Sequence, residues 1–199
     1  MAWDTERTRR KILDAATDQF VAHGPHGTTI EKIARAAGVN KERIYNYFGG
    51  KDALFERVLR EHVASASTSV PVPSNSAREV GAYAGDLFDY LIEHPQLMRL
   101  LQWEALTIDG DAPDEAERTS MYANRTRELG AGQKAGALAD DFEPDVLNVL
   151  ILGIVGYWML LPQVTRMITG TGTPGAGELA RRRNAVIEAA TRLATPIRQ

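Results

Sequence analysis

One short segment of the sequence, residues 41–47, carries side chains that can recognise the edges of nucleic-acid bases. Arg43 can donate two hydrogen bonds to guanine O6 and N7, Glu42 can accept one from cytosine N4, and Asn46 can pair with adenine. We therefore predict that this segment contacts base edges, with Arg43 as the first candidate and Lys41, Glu42 and Asn46 as weaker ones. The competing interpretation is that Arg43 pairs with Glu42 or another carboxylate and reads no base.

Two further polar residues stand where helices are predicted to begin. The hydroxyl of Thr28, the amide of Asn40 and the free backbone N–H groups around them can hold phosphate oxygens. Each of the two residues could also act as a helix cap alone. We keep both interpretations for these positions.

The elements that position these groups are two short helices joined by three residues. The first is predicted to begin at Thr28, whose spacing to Glu31 is that of a capping box, and to end at Gly38. The second covers about 41–48, follows Asn40 as its cap, and turns its apolar residues to one side. Those apolar residues are Ile44 and Phe48. So short a connection lets two helices cross closely, which is the helix-turn-helix arrangement.

A longer pattern surrounds this motif. Its members, from Arg10 onward, are Ile12, Leu13, Ala15, Ala16, Phe20, Gly24, Thr28, Thr29, Ile33, Ala34, Ala37, Gly38, Val39, Ile44, Tyr45, Tyr47, Phe48, Lys51 and Leu54. In order and spacing this pattern closely resembles the DNA-binding domain of TetR-type regulators, the tetracycline-repressor-like family. The resemblance implies a homodimer in which the third helix of each copy reads a major groove and the final two helices form a four-helix interface.

The resemblance also implies roles for three residues beside the predicted reading face. The positions of Tyr45, Tyr47 and Lys51 commonly contact phosphates in that family. Two alternatives stay open here: the ring of Tyr45 could simply pack between helices, and Lys51 could be a solvated lysine at the start of a helix.

The rest of the chain shows a 3.6-residue apolar period and no sustained alternation, which predicts an all-α fold of about nine helices. Beyond the two short ones, helices are predicted over about 5–23, 51–68, 76–94, 95–108, 113–138, 144–168 and 177–195, with a connector over 67–76. We predict a three-helix DNA-binding head over 1–50. A larger helical body over 51–199, starting with a connecting helix at 51–68, would bind a ligand and dimerise.

Large apolar and aromatic side chains in the predicted body are candidates for the wall of a ligand pocket. They are Tyr83, Phe88, Trp103, Leu106, Met121, Tyr122 and Trp158. Helical packing alone would also place such residues in an ordinary core. Because members of the family often bind a small molecule among these helices and lose DNA affinity, we expect an apolar or aromatic effector, with Trp103 and Trp158 as preferred wall residues.

Residues 146–165 contain no formal charge and are long enough to span a bilayer. Asn148, Pro162, Gln163 and Thr165 interrupt the segment, so we interpret the continuous apolar run 149–161 as a buried helix and expect no membrane association. A second apolar stripe follows at Leu179, Val186, Ile187, Ala190 and Leu193. We predict that a second copy of the chain covers these helices.

Charge and composition limit the remaining classes of function. Residues 1–60 carry eleven Lys and Arg against eight Asp and Glu, whereas residues 61–199 carry twelve against eighteen, so a basic head precedes an acidic body. The absence of cysteine excludes disulfides and thiolate metal sites and fits the cytoplasm. We expect no cofactor, no metal and no catalytic activity. The alternative is an all-helical enzyme or small-molecule carrier whose head serves only for packing.

Overall fold

The computed structural model describes residues 2–70, 75–107, 110, 112 and 114–197, and within them it contains ten α-helices and no strand. The helices are α1 (Ala2–Gly27), α2 (Ile30–Ala37), α3 (Lys41–Phe48), α4 (Lys51–Ser69), α5 (Ala77–Glu93), α6 (Pro95–Thr107), α7 (Glu115–Lys134), α8 (Pro144–Leu160), α9 (Pro162–Thr169) and α10 (Ala176–Ala194). The all-α prediction is confirmed. Pro113, the predicted start of α7, and the connector prolines Pro71 and Pro73 lie outside the described residues.

The chain forms two compact units, which divide it differently from the boundary expected after residue 50. The head unit comprises residues 1–65 and 96–115, and the body unit comprises residues 66–95 and 116–199. Most of α4 belongs to the head unit because its apolar face completes the core there. Phe55 of α4 packs edge-to-face on Phe20 of α1, with ring centroids 5.1 Å apart.

Helix α1 is broken where the sequence predicted its end. Gly24 has φ 66° and ψ 175°, a conformation outside the helix that side chains rarely adopt, and Pro25 then starts a last helical turn. The backbone of Gly24 also lies against an aromatic ring, because a Cβ built there would come within 2.7 Å of Trp103 Cε3. Glycine is therefore required at this position for two independent reasons.

The body unit is built on the close packing of α5 against α10. Gly81 and Gly85 permit the approach: a Cβ at Gly81 would lie 1.9 Å from Thr191 Oγ1, and one at Gly85 would lie 2.7 Å from Ile187 Cγ1. Arg183 of α10 adds a polar contact between the same two helices, because its Nε donates to Asp89 Oδ2 of α5 at 2.6 Å. The sequence analysis predicted this helix without revealing the two contact glycines.

Two helix predictions in the body are wrong. The helix expected over 144–168 is two helices, α8 and α9, which meet at an angle of 86°. Pro162 causes the break, because it has no N–H to continue the α8 hydrogen bonds and disfavours helical geometry at Leu161. Helix α7 ends at Lys134 instead of Leu138, and Gly136 follows in the left-handed region with φ 71°.

No single helix among the described residues has both the length and the apolar composition to cross a membrane; α8 and α9 satisfy these requirements only when taken together as a bent pair.

Candidate nucleic-acid interface

The structure places the predicted base-reading residues together on the outside of α3. Ile44 is buried in the head unit, while Lys41, Glu42, Arg43 and Asn46 are exposed. Among the described residues, no carboxylate lies within ion-pair distance of the Arg43 guanidinium, so the alternative of an ion pair with Glu42 finds no support.

The turn between α2 and α3 is fixed by the residues that the sequence indicated. The Asn40 side chain accepts a hydrogen bond from the Arg43 backbone N–H at 3.2 Å, as an N-cap does. Gly38 ends α2 in the left-handed conformation, and the next amide, that of Val39, donates to the Ala34 carbonyl at 3.0 Å. The three-residue turn therefore sets the crossing of the two helices.

The predicted role of Thr28 is wrong. Its side chain is 1% exposed, and its hydroxyl donates to the Gln19 carbonyl at 3.0 Å, so it reaches neither the helix end nor a phosphate at the surface. Thr29 is the N-cap of α2 instead and accepts from the Lys32 backbone N–H. The pKa of Glu31 is lowered because its carboxylate accepts hydrogen bonds from its own backbone N–H and from the Thr29 hydroxyl.

The two tyrosines of α3 occupy different surroundings. Tyr45 is 49% exposed, whereas Tyr47 is half-buried beneath the Arg9 side chain, whose Cζ lies 5.6 Å from the ring centroid. Arg9 also lies 6.0 Å from the centroid of Phe48, which is half-buried rather than fully turned inward as expected. Sequence reasoning missed Arg9 because only the packing of α1 on α3 brings it to the interface.

Lys51 has a structural partner. Its Nζ donates to the Pro25 carbonyl at 2.7 Å, which ties the last turn of α1 to the first turn of α4. An ammonium group carries three donors, so two are left for a phosphate. The alternative of a merely solvated lysine is not supported, and the phosphate contact stays a prediction.

Comparisons with known proteins identify the family of the chain. Residues 12–58 match the family described as bacterial regulatory proteins, tetR family, and residues 79–192 match the tetracyclin repressor-like C-terminal domain. The second match alone covers more than half of the sequence. The chain belongs to the TetR family.

Whole-length relatives of this TetR-family chain agree with that assignment. It is 34% identical over 193 residues to the HTH-type transcriptional repressor SCO4008 of Streptomyces coelicolor, covering 96% of this chain and 97% of the relative. It is 35% identical to the HTH-type transcriptional repressor NicS of Pseudomonas putida, covering 69% of this chain and 62% of that protein. The crystal structure of SCO4942 from Streptomyces coelicolor superposes with a TM-score of 0.81 at 26% identity, over 94% of this chain and 98% of that one. The protein is thus a TetR-type transcriptional regulator.

Two of the predicted pocket residues belong to the head unit instead of the predicted ligand-binding body. Trp103 lies in the head unit, where its Nε1 donates to the Val21 carbonyl at 3.3 Å and its ring packs on Gly24. Leu106, in the same unit, is 77% exposed. The sequence missed this because α6 follows α5 along the chain but packs with the head.

Phe88 and Trp158 do share a cavity. It measures about 220 Å³ and lies between α5, α8, α9 and α10 of the body unit. The buried Arg182 guanidinium lies over Trp158, 5.1 Å from the ring centroid, and its Nε donates to Glu178 at 2.7 Å. The cavity is smaller than the 300–1,000 Å³ of typical ligand pockets, so we do not assign the effector to it.

The adjacent arginines at the start of α10 have different surroundings. Arg181 is exposed, but Arg182 is buried. Hydrogen bonds from Arg181 and Arg182 lower the pKa of Glu178 to about 2. This cluster holds the first turn of α10, whose N-cap residue, Gly175, has no side chain to cap the helix.

The other predicted pocket residues lie on α5 and α7 of the body unit. Tyr83 is buried, and Met121 and Tyr122 are half-buried. Burial raises the pKa of the Tyr83 phenol, while the nearby Arg125 lowers it and Tyr122 raises it further. The Arg125 guanidinium in turn lies 6.0 Å from the centroid of the Tyr122 ring.

Proposed function

We propose that this protein is a homodimeric transcriptional repressor that binds a palindromic operator through α3 and is released from it by a small effector. The observation that carries the proposal is the exposed polar face of α3, held by the Asn40 cap in a helix-turn-helix of a TetR-family chain. The proposed role requires no catalytic activity, cofactor or metal. We propose that the protein acts in the cytoplasm. The name of the full-length relative SCO4008 supports repression rather than activation.

On α3, Arg43 is the proposed base reader, and Lys41, Glu42 and Asn46 flank it. Lys51 and the Tyr45 hydroxyl are proposed phosphate contacts, and Asn40 is proposed to contact phosphate through the helix end that it caps. We assign Arg9 a positioning role, since it covers the ring of Tyr47, a further proposed phosphate contact.

The second copy is proposed to cover the apolar side of α8 and α9. Buried residues of α8 repeat every four positions, at Leu147, Ile151 and Val155, which leaves its opposite side uncovered within the chain. The exposed apolar residues there are Val146, Val149, Leu150, Tyr157, Leu160, Leu161, Met167 and Ile168. A continuous exposed apolar surface of this kind marks an interaction site.

Part of the α10 stripe is buried within one chain and is not available to a second copy. Val186 and Ala190 are buried within the body unit, and Ile187 packs on Gly85. A charge at Ile187 would therefore disturb the fold of one chain. Val149, which is 68% exposed, is the better position for a test of association.

The test of assembly compares two charge substitutions by sedimentation. Val149→Glu should shift the protein from twice the chain mass of 21.9 kDa towards the monomer. Leu106→Glu, at an exposed apolar residue of the head unit, is the matched control and should leave the dimer intact. If both variants sediment like a dimeric wild type, the proposed interface is wrong.

The test of DNA recognition is selection of bound fragments from random duplex DNA by the full-length protein. We expect enrichment of a palindrome whose half-site centres lie about one helical turn or a simple multiple apart. Enrichment of sequences without two-fold symmetry, or no retention of DNA at low salt, would refute operator binding by a dimer.

A further inference from the structure

Two polar atoms on α5 are buried without a hydrogen-bond partner. They are Glu79 Oε2 and Tyr83 Oη, and both lie in the body unit. The residues are four positions apart, which places their side chains next to each other on one face of the helix. Buried polar groups in folded proteins are nearly always paired, so two unpaired ones side by side require an explanation.

Tyr83 is almost wholly enclosed, since its exposed fraction is 3%. Burial, the largest influence, raises the pKa of its phenol, so the hydroxyl remains protonated at neutral pH and can both donate and accept. Glu79 Oε2 can only accept when the carboxyl group is ionised. Glu79 Oε2 therefore requires an N–H or O–H donor, whereas Tyr83 Oη can pair with either a donor or an acceptor.

Helix α7 provides two side chains that act on Tyr83. Among the described residues, α7 makes few close backbone contacts with the other helices of the body unit. Tyr122 and Arg125 are both half-buried, and both act on Tyr83 electrostatically. Few packed contacts permit a helix to move aside at low free energy, which gives a ligand a route to α5.

We infer that Glu79 and Tyr83 are the polar anchor for an effector that carries a protonated amine or amidinium on an aromatic or apolar body. One N–H of the ligand donates to Glu79 Oε2 and a second to Tyr83 Oη, while the apolar body lies against the Tyr122 ring. This assignment rests on the proposed function, because it names the effector class of the proposed repressor.

Charge selects this ligand class over its alternatives. A ligand carboxylate would stand beside the Glu79 carboxylate in a region of low dielectric, where like charges repel strongly. A neutral alcohol can donate to Glu79 Oε2 and accept from the Tyr83 hydroxyl, but it forms weaker hydrogen bonds with the carboxylate than a charged donor does. Arg125 opposes a cation less than Glu79 attracts it, because its half-exposed side chain is screened by solvent.

The test uses three probes with the same apolar body: phenylbutylamine, phenylbutanoate and phenylbutanol. Calorimetry on the full-length protein at pH 7 should give an amine dissociation constant at least about tenfold below those of the acid and the alcohol, as expected for a charge-assisted pair. Glu79→Gln and Tyr83→Phe should each weaken amine binding by about tenfold. The control Glu93→Gln, exposed on the same helix, should leave it unchanged.

A second readout separates anchoring from a structural role. Without ligand, Tyr83→Phe should not lower the thermal midpoint, because its hydroxyl has no hydrogen bond to lose. Three outcomes would overturn the assignment. The acid could bind more tightly than the amine, the amine could bind both variants as tightly as wild type, or none of the probes could bind.

Failure of this inference is distinguishable from failure of the proposed function. If wild type and all variants select and hold the palindromic operator while the amine does not bind at Glu79 and Tyr83, the repressor proposal stands and the anchor is wrong. If wild type holds no operator, the repressor proposal is wrong, and the calorimetry still decides whether the anchor binds amines.

Discussion

The head unit and the body unit are specified in different ways. In the head, short helices begin and end at residues that act on the backbone beside them, such as Thr29, Gly38 and Asn40. In the body, long helices are held by contacts between residues far apart in sequence, such as Gly81 on α5 with Thr191 on α10. Local signals are visible in a sequence, whereas contacts of the second kind become visible only in the fold.

The largest effect should come from Gly24→Ala in the head unit. The substitution forces a side chain into a positive φ and against the Trp103 ring, and we expect a loss of about 3 kcal/mol of unfolding free energy. Denaturant unfolding measures it. Gly50→Ala, where an added Cβ meets nothing within 4 Å, is the matched control and should change little. Equal stability of the two variants would contradict the account of Gly24.

Gly81→Ala in the body unit should have a somewhat smaller effect. We expect it to lower the unfolding free energy by about 2 kcal/mol, because the new Cβ meets Thr191 and the Ile187 carbonyl. Here the strain is a contact and not a backbone angle, so Thr191→Ala should restore part of the loss in the double variant. Gly177→Ala, with open space around it, serves as control. Strict additivity of Gly81→Ala and Thr191→Ala would refute the contact.

Removal of a helix cap in the head unit should lower the free energy of unfolding by about 1 kcal/mol. Thr29→Val removes the acceptor for the Lys32 backbone N–H, so exchange of the Lys32 amide with solvent should accelerate. Thr28→Val removes only the bond to the Gln19 carbonyl and should leave that amide protected. Faster exchange of Lys32 in Thr28→Val alone would restore Thr28 as the cap.

The smallest effect concerns Glu178, which holds the uncapped start of α10. Its pKa in the folded chain is about 2, below the ordinary value of 4.5, so its contribution to stability is complete above about pH 4.5 and is lost as the pH falls towards 2. The difference in thermal midpoint between wild type and Glu178→Gln should therefore shrink between pH 6 and pH 3. If the difference in thermal midpoint does not change with pH, the ion pairs of Glu178 contribute nothing to stability.

The difference between local signals and long-range contacts explains how much of the structure could be predicted from the sequence. The helix-turn-helix was predictable because Gly38 and Asn40 mark helix ends by their own backbone chemistry. Thr28 was misassigned because two adjacent threonines offer alternative caps, and only burial of the first decides between them. The placement of Trp103 in the head unit was not predictable, because no local pattern shows that α6 packs with the head. The unpaired atoms of Glu79 and Tyr83 depend on which helix lies opposite, which the sequence does not show.

The central claim is that α3 contacts base edges of the DNA, whereas Lys51 at the start of α4 contacts its phosphate backbone. Its most direct test is a salt titration of Arg43→Ala and Lys51→Ala on the selected operator and on a scrambled duplex, with folding checked by circular dichroism. Arg43→Ala should lose about 1–3 kcal/mol on the operator and less on the scrambled duplex. Lys51→Ala should weaken both alike and reduce the salt slope by about one. An equal loss on both duplexes for Arg43→Ala would make it a phosphate contact, and no loss for either folded variant would contradict DNA binding by this face.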